Sequence, residues 1–395
     1  MHAPAVDPAT WPLDPDVAFL NHGSFGSCPR AVLQLQQRLR ERLERQPVQF
    51  FMRDLEAMVD AARAALAQFV GADPDDLVFV PNATVGVNTV LHSLRFDPGD
   101  ELLVTDHEYN ACRNAFEHAA ERSGARVVVV SLPFPLRGAE EIIAAILERV
   151  TPHTRVALID HVTSQTGLVM PIEALVRELH ARGVDTVVDG AHAPGMVPLD
   201  LRRIGAAYYT GNCHKWLCAP KGAAFLYVRR DRQHLVRPLV ISHGANSERT
   251  DRSRYLIEFG WTGTGDPTAS LCVPAALRFM GSLLPGGWPE VMRRNRELAL
   301  AARRILCTAL EIDPPAPEEL IGTLVSVPLA DGRGARTPDA LHLDPLQEWL
   351  LADHAIEVPV ITWPRWPRRL LRISAQLYNS VPQYERLAAA LQTIQ

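Results

Sequence analysis

Between residues 77 and 228 the chain alternates short apolar runs with longer amphipathic stretches, and this alternation narrows the possible folds more than anything else in the sequence. The runs at 77–80, 101–105, 126–131, 155–159, 186–188, 206–209 and 223–228 are too short for buried helices and too continuously apolar for strands that face water on one side. Helical patterns separate most of them, one opening at P-N-A-T-V-G-V-N and others near 111–123, 139–150 and 172–182. Such a pattern predicts an α/β fold, with a mostly parallel sheet covered by helices on both faces. Two helices precede it. One spans 30–45, with Val32, Leu35, Leu39 and Leu43 on one stripe; the other spans 55–70 and stops at Gly71. Past Thr268 the pattern changes to long helices (271–284, 288–310), then strand 323–327, helix 346–354, strand 370–373 and a last helix over 381–395. The expected division is a large domain of residues 19–268, and a smaller α+β domain made of 1–18 with 269–395. The loop 331–338, D-G-R-G-A-R-T-P, is expected to be mobile.

Lysine usage is the second constraint. Of 40 basic residues only Lys215 and Lys221 are lysine, and both lie in the stretch Y-Y-T-G-N-C-H-K-W-L-C-A-P-K-G that runs from Tyr208 to Gly222. Arginine replaces lysine well at a solvated surface. It cannot do so where an unprotonated primary amine is needed, because a guanidinium does not deprotonate in proteins. Retaining two lysines side by side therefore points to amine chemistry, above all condensation with a carbonyl compound such as pyridoxal 5'-phosphate (PLP). The bland alternative is drift toward arginine with two accidental survivors.

Bulk properties exclude several classes. A net charge of −5 gives no footprint for nucleic acid. The N-terminal stretch has neither a basic start nor an apolar segment of the secretory kind, and no apolar run approaches the ~20 residues of a membrane span. The expectation is a cytoplasmic protein without membrane or nucleic-acid partners. The six cysteines, with no C-x-x-C pair, read as reduced thiols rather than a disulfide framework or a metal site.

Four further stretches carry candidate chemistry. Asp189, in T-V-V-D-G-A-H, ends a buried strand, where ligands of open α/β sheets sit. There it would keep a pyridinium nitrogen protonated, unless it merely caps a helix. His192 follows it, as a contact or as a structural histidine. The sequence P-N-A-T-V-G-V-N leads from a strand into a helix, where the backbone amides around Ala83 and the Thr84 hydroxyl suit an anion. Tyr109 closes the next strand and could stack on a flat cofactor or transfer a proton, or simply be a rim aromatic. Arg372, in L-L-R-I-S, offers the fork that grips a carboxylate. The run G-T-G-D-P-T from Gly263 lacks the third glycine of a dinucleotide loop, and no Walker A, G-x-S-x-G or H-E-x-x-H occurs.

Taken together, D-G-A-H, the following G-N-C-H-K-W, then W-T-G-T-G-D-P and a late L-R-I-S resemble the class V aminotransferase superfamily, most closely its isopenicillin N epimerase-like branch, over residues 21–379. That resemblance implies PLP fold type I and a homodimer with active sites at the subunit interface. It implies Lys215 as the Schiff-base lysine and Asp189 as the pyridinium partner. Ala83, Thr84, Asn212 and His214 become phosphate contacts, with Thr264 reaching in from the partner subunit. Tyr109 stacks on the ring, and Ser164 and His192 meet its hydroxyl side. Asn21, His22, Gly23 and Arg372 fall on the substrate side, and Lys221 matches no functional position. The implied activity is at Cα of an amino acid: epimerisation, with Tyr109 as second acid, or alternatively C–S β-elimination or transamination. A cysteine desulfurase would need a nucleophilic cysteine between Cys307 and Arg372, and there is none. A regulatory protein of this fold would carry an added winged-helix domain, for which the arm before Asn21 is too short.

Overall fold

The computed structural model describes residues 3–334 and 343–393. Seven strands build the central sheet: β1 (Leu77–Val80), β2 (Glu101–Thr105), β3 (Arg126–Val130), β4 (Thr154–Asp160), β5 (Asp185–Asp189), β6 (Tyr208–Asn212) and β7 (Ala224–Val228). Their order is β1-β7-β6-β5-β4-β2-β3. The pairs β3–β2, β2–β4, β4–β5 and β5–β6 are parallel, while β7 runs against both β6 and β1. The alternating pattern therefore gives the α/β sheet it predicts, with one reversed strand.

Successive side chains point to opposite faces of a strand, so each strand feeds two cores. Leu102, Leu158, Val187, Tyr208 and Leu226 enter the core on one face, and Leu103, Ala157, Val188, Tyr209 and Phe225 enter the core on the other. Helices α3 (Ala83–Ser93) and α4 (Asn110–Ser123) close the first face through Val87, Val90 and Phe116. The second face is covered by α2 (Leu55–Val70), α5 (Ala139–Glu148) and α6 (Ile172–His180), through Leu66, Ile142 and Leu175. Helix α1 (Arg30–Arg45) precedes them, and α2 ends where Gly71 turns left-handed at φ 65°.

Beyond α7 (Arg254–Phe259), α8 (Val273–Ser282) and α9 (Gly287–Leu310), a three-stranded antiparallel sheet forms from β8 (Leu324–Leu329), β9 (Val360–Thr362) and β10 (Arg369–Ser374) in the order β9-β10-β8. Helices α10 (Pro345–His354) and α11 (Val381–Gln392) complete this part. The N-terminal arm packs here, with Trp11 edge-on to Tyr378 at 5.0 Å between ring centroids. Two pairings were not expected from the sequence. Strand β9 is three residues long and enclosed by Pro359 and Pro364, and Ala18–Phe19 pairs in parallel with Ile356–Glu357 across most of the chain. Residues 335–338 of the loop expected to be mobile lie outside the described residues.

One close contact fixes α3 on the sheet. A Cβ at Gly86 would lie 2.2 Å from Thr210 Oγ1 on β6. In an open helix, replacing glycine by alanine stabilises by about 0.5–1 kcal/mol. Here overpacking, about 1–3 kcal/mol, outweighs that gain. Gly86→Ala is expected to lower the urea midpoint; an unchanged or raised midpoint contradicts the close-approach reading.

Candidate active site

The carboxyl ends of the parallel strands open onto a cavity of ≈ 580 Å³. Asp160 closes β4, Asp189 closes β5, Asn212 closes β6, and the turn after β1 delivers Asn82, Ala83 and Thr84; all of them line the cavity. Lys215 lines it as well, from the turn between β6 and β7.

That turn is held from below. The Lys215 carbonyl accepts hydrogen bonds from the Cys218 amide (3.0 Å) and from His22 Nε2 (3.1 Å). His22 Nδ1 therefore accepts from the Tyr378 hydroxyl at 2.8 Å, and burial pushes the ring's pKa down to about 3. Gly26, at φ 69°, presses against the same turn: a Cβ there would lie 2.1 Å from the His214 carbonyl oxygen. Lys221 Nζ donates to the Gly26 carbonyl at 2.8 Å and pins the two segments together, so the second lysine is a strut.

Lys215 Nζ stands 3.0 Å from His192 Nε2. Burial first, and then the charge of Arg372, push its pKa down to about 8, although Asp189 and Asp160 pull the other way. Roughly a tenth of this amine is thus unprotonated at neutrality, far more than for a solvated lysine, as a nucleophile or base requires.

Asp189 is buried, with one oxygen accepting from the Ala191 amide (2.9 Å) and the other from the Cys112 thiol (3.1 Å). Burial raises its pKa, and these donors together with Lys215 oppose the rise. Behind it lies an acid pair that sequence reasoning missed. Glu108 and Asp160 are 5% and 3% exposed, and among the described residues each keeps one buried oxygen without a hydrogen-bond partner. Burial, reinforced by neighbouring carboxylates, pushes Glu108 up to about 8 and Asp160 well above the ordinary range. Burial thus favours the protonated form of both, which leaves Asp189 as the carboxylate best able to face a cation. The only hint in the sequence was Glu108's place beside Tyr109; Asp160 reads as the last residue of a strand.

At the other end, Asn82 caps α3 by accepting from the Val85 amide at 2.9 Å. Asn212 Oδ1 takes the Ala83 amide at 2.9 Å. The Ala83 amide is thus taken inside the protein, and Asn212 ties β6 to α3 while both line the cavity. Among the described residues the Thr84 amide has no internal partner, so Thr84 is the better anion donor, at a positively polarised helix end. His214 also lines the cavity; its Nδ1 donates to the Ala223 carbonyl at 3.1 Å, which leaves Nε2 free.

On the substrate side, Arg372 is 4% exposed and grips both the Ser164 carbonyl (2.7 Å) and the Ser24 hydroxyl (2.7 Å); Ser164 and Ser24 line the cavity. Among the described residues its Nε has no partner. Burial lowers its pKa to about 10, still charged at neutrality. Tyr109 is 43% exposed at the mouth. Asn21, His22 and Gly23 do not line the cavity. Asn21 donates to Glu357, His22 lies beneath Lys215, and the Gly23 amide donates to Ser374; Ser24 and Phe25 line the wall instead. Thr264 is exposed on a loop outside this cavity.

A reactive amine, a buried carboxylate and an anion-binding helix end around one cavity are the donor set that PLP requires, and the residues fit it. Comparison with known proteins points the same way. The family model "Aminotransferase class-V" matches residues 27–333. An isopenicillin N epimerase of Streptomyces clavuligerus is 36% identical over 397 residues, covering 97% of this chain and 96% of that protein. A probable chloroplastic L-cysteine desulfhydrase of Arabidopsis thaliana is 34% identical over 404 residues, covering 96% and 83%. A solved structure of a C-DES mutant, with glycine covalently linked to its PLP cofactor, superposes with a TM-score of 0.80 at 22% identity, covering 96% of this chain and 97% of that one. Among the described residues no single helix is long and apolar enough to cross a membrane.

The acid pair makes a prediction about pH. Glu108 has a raised folded-state pKa, so its contribution to stability is fully present below the ordinary 4.5 and is lost as pH rises through about 8. Glu108→Gln keeps a neutral side chain that can donate toward Asp160. Measured as urea midpoints of the cofactor-free chain at pH 5 and pH 8, the variant is expected to gain on the wild type as pH rises. A constant or shrinking difference contradicts the raised pKa of Glu108.

Proposed function

The chain belongs to the class V aminotransferase family, and from that premise we propose that it is a PLP-dependent enzyme acting at the α-carbon of an amino acid or an amino-acid-containing substrate, as an epimerase of the isopenicillin N epimerase-like branch. The observation that carries this reading is Lys215, a reacting amine on the same cavity as Asp189. Thr84 and the start of α3 would hold the phosphate, Asp189 the ring nitrogen, and Ser164 with His192 the ring hydroxyl side.

Bound there, PLP supplies an electron sink for the pair left at Cα. Lys215 Nζ takes the Cα proton, and its lowered pKa suits that exchange near neutrality. Tyr109, at the mouth, returns a proton from the opposite face, so one C–H bond breaks and another forms with inversion. Arg372 fixes the substrate carboxylate, which sets the direction of the Cα–H bond. The enclosed Lys215 and the buried carboxyls keep bulk water from competing for the proton. We further propose a homodimer in which Thr264 serves the partner's cavity.

A second reading has its own support. The desulfhydrase relatives favour C–S β-elimination, in which the same base removes the same proton and a thiolate leaves Cβ. One experiment separates the two. The enzyme is incubated in heavy water with isopenicillin N, L-cysteine and a panel of common amino acids, and Cα deuteration, inversion and pyruvate are read together. Deuteration with inversion and no pyruvate is the expected result; pyruvate and sulfide from cysteine replace the epimerase reading with the lyase. Lys215→Ala is expected to fold, to lose the covalent fixation of PLP that borohydride gives in the wild type, and to slow Cα exchange by about 10²–10⁴-fold. Exchange at the wild-type rate refutes the role given to Lys215.

A further inference from the structure

Trp216 follows the reacting lysine and has no role in the scheme above. It is 1% exposed, and its indole Nε1 donates to His192 Nδ1 at 3.4 Å. His192, 2% exposed, meets Lys215 Nζ through its other nitrogen at 3.0 Å. Three groups thus form a chain: indole N–H, imidazole, primary amine.

The order of donors along that chain is fixed at one end. An indole nitrogen can only donate. His192 Nδ1 must therefore accept, and in a neutral imidazole the proton then sits on Nε2. Nε2–H points at Lys215, whose nitrogen can accept only when it carries a lone pair. The reverse arrangement, an ammonium donating to Nε2, would put the proton on Nδ1 and set two buried donors against each other. The backbone keeps the elements in register, because Gly195, at φ 86°, allows the His192 loop to approach the Trp216 carbonyl: a Cβ there would lie 2.7 Å from it.

We propose that Trp216 is a positioning residue that holds His192 in the Nε2–H tautomer, so that His192 donates to Lys215 and keeps it a free amine ready for a carbonyl compound. This rests on the reading of Lys215 as the reacting amine. Trp216 acts through His192 and touches no reacting atom.

The test has two arms on the full-length chain freed of cofactor. In the first, ring ¹⁵N shifts of histidine-labelled protein are recorded, with His192 assigned by its loss in His192→Gln. A bare Nδ1 and a protonated Nε2 are expected; a protonated Nδ1 overturns the proposal. In the second, PLP is offered over a range of pH and the fraction fixed on Lys215 by borohydride is measured. Trp216→Phe keeps an aromatic ring against His22, whose centroid lies 4.9 Å from that of Trp216, but removes the donor. The other titratable groups that face the pair, Asp160, Asp189, Cys112, Arg372, His22 and His214, are unchanged. The profile is expected to move to higher pH, with about a tenfold loss of free amine per unit at a fixed pH below it. An unmoved profile overturns the proposal. Should the variant fail to fold, the first arm still decides. A wild-type chain that takes up no PLP at Lys215 defeats the functional reading instead and leaves the tautomer measurement standing.

Discussion

A primary amine confined among protein groups is the constraint to which the rest of the molecule answers. Lys215 is useful only if part of it gives up its charge, and burial does most of that work. The surroundings then have to be settled without it. Arg372 adds like charge, Asp189 and Asp160 oppose it, and the Lys215 backbone is fastened by His22 from an N-terminal segment that packs into the C-terminal part through Tyr378. The amine is thereby located by segments from both ends of the chain.

Much of the fold was legible because two periodicities dominate the sequence. The runs at 77–80 and 101–105 and the helices at 30–45 and 55–70 have the bounds that apolar spacing and a terminal glycine indicate. What escaped notice was set by partners far along the chain. Strand β9 is too short to leave a period, and the Ala18–Phe19 pairing with Ile356–Glu357 has no local signature at all. The site divides along the same line. Lys215, Asp189 and Thr84 sit in motifs whose chemistry shows in residue type and position. Glu108, Asp160 and Trp216 do not, because a carboxyl at a strand end or an indole after a lysine says nothing until the fold supplies its neighbours. Asn21, His22 and Gly23 err in the opposite direction: proximity in sequence to the cavity wall is not exposure to it.

The acid pair and the imidazole address opposite sides of one requirement. For the proposed function, Asp189 has to stay charged beneath a cationic ring while part of Lys215 is neutral beside it. Burial that favours protonated Glu108 and Asp160 limits the negative charge that crowds Asp189. An imidazole hydrogen directed at Lys215 disfavours the ammonium. Neither arrangement distinguishes inversion from elimination, since both begin with removal of the same proton. Discrimination has to come from what surrounds the substrate side chain, near Phe25 and Tyr109 at the mouth.

The reversed strand sets an order of assembly. β1 is made before every other strand of the central sheet, yet among the described residues its only neighbour there is β7, which is made last. Helix α3, whose first turn would offer the anion site, stays without its platform on the ribosome until the strand carrying Thr210, residues 208–212, has emerged. Non-local closures of this kind are slow. A phosphorylated ligand spanning the helix end and the lysine turn would clasp the late-closing seam, and would stabilise this region more than any other by mass action.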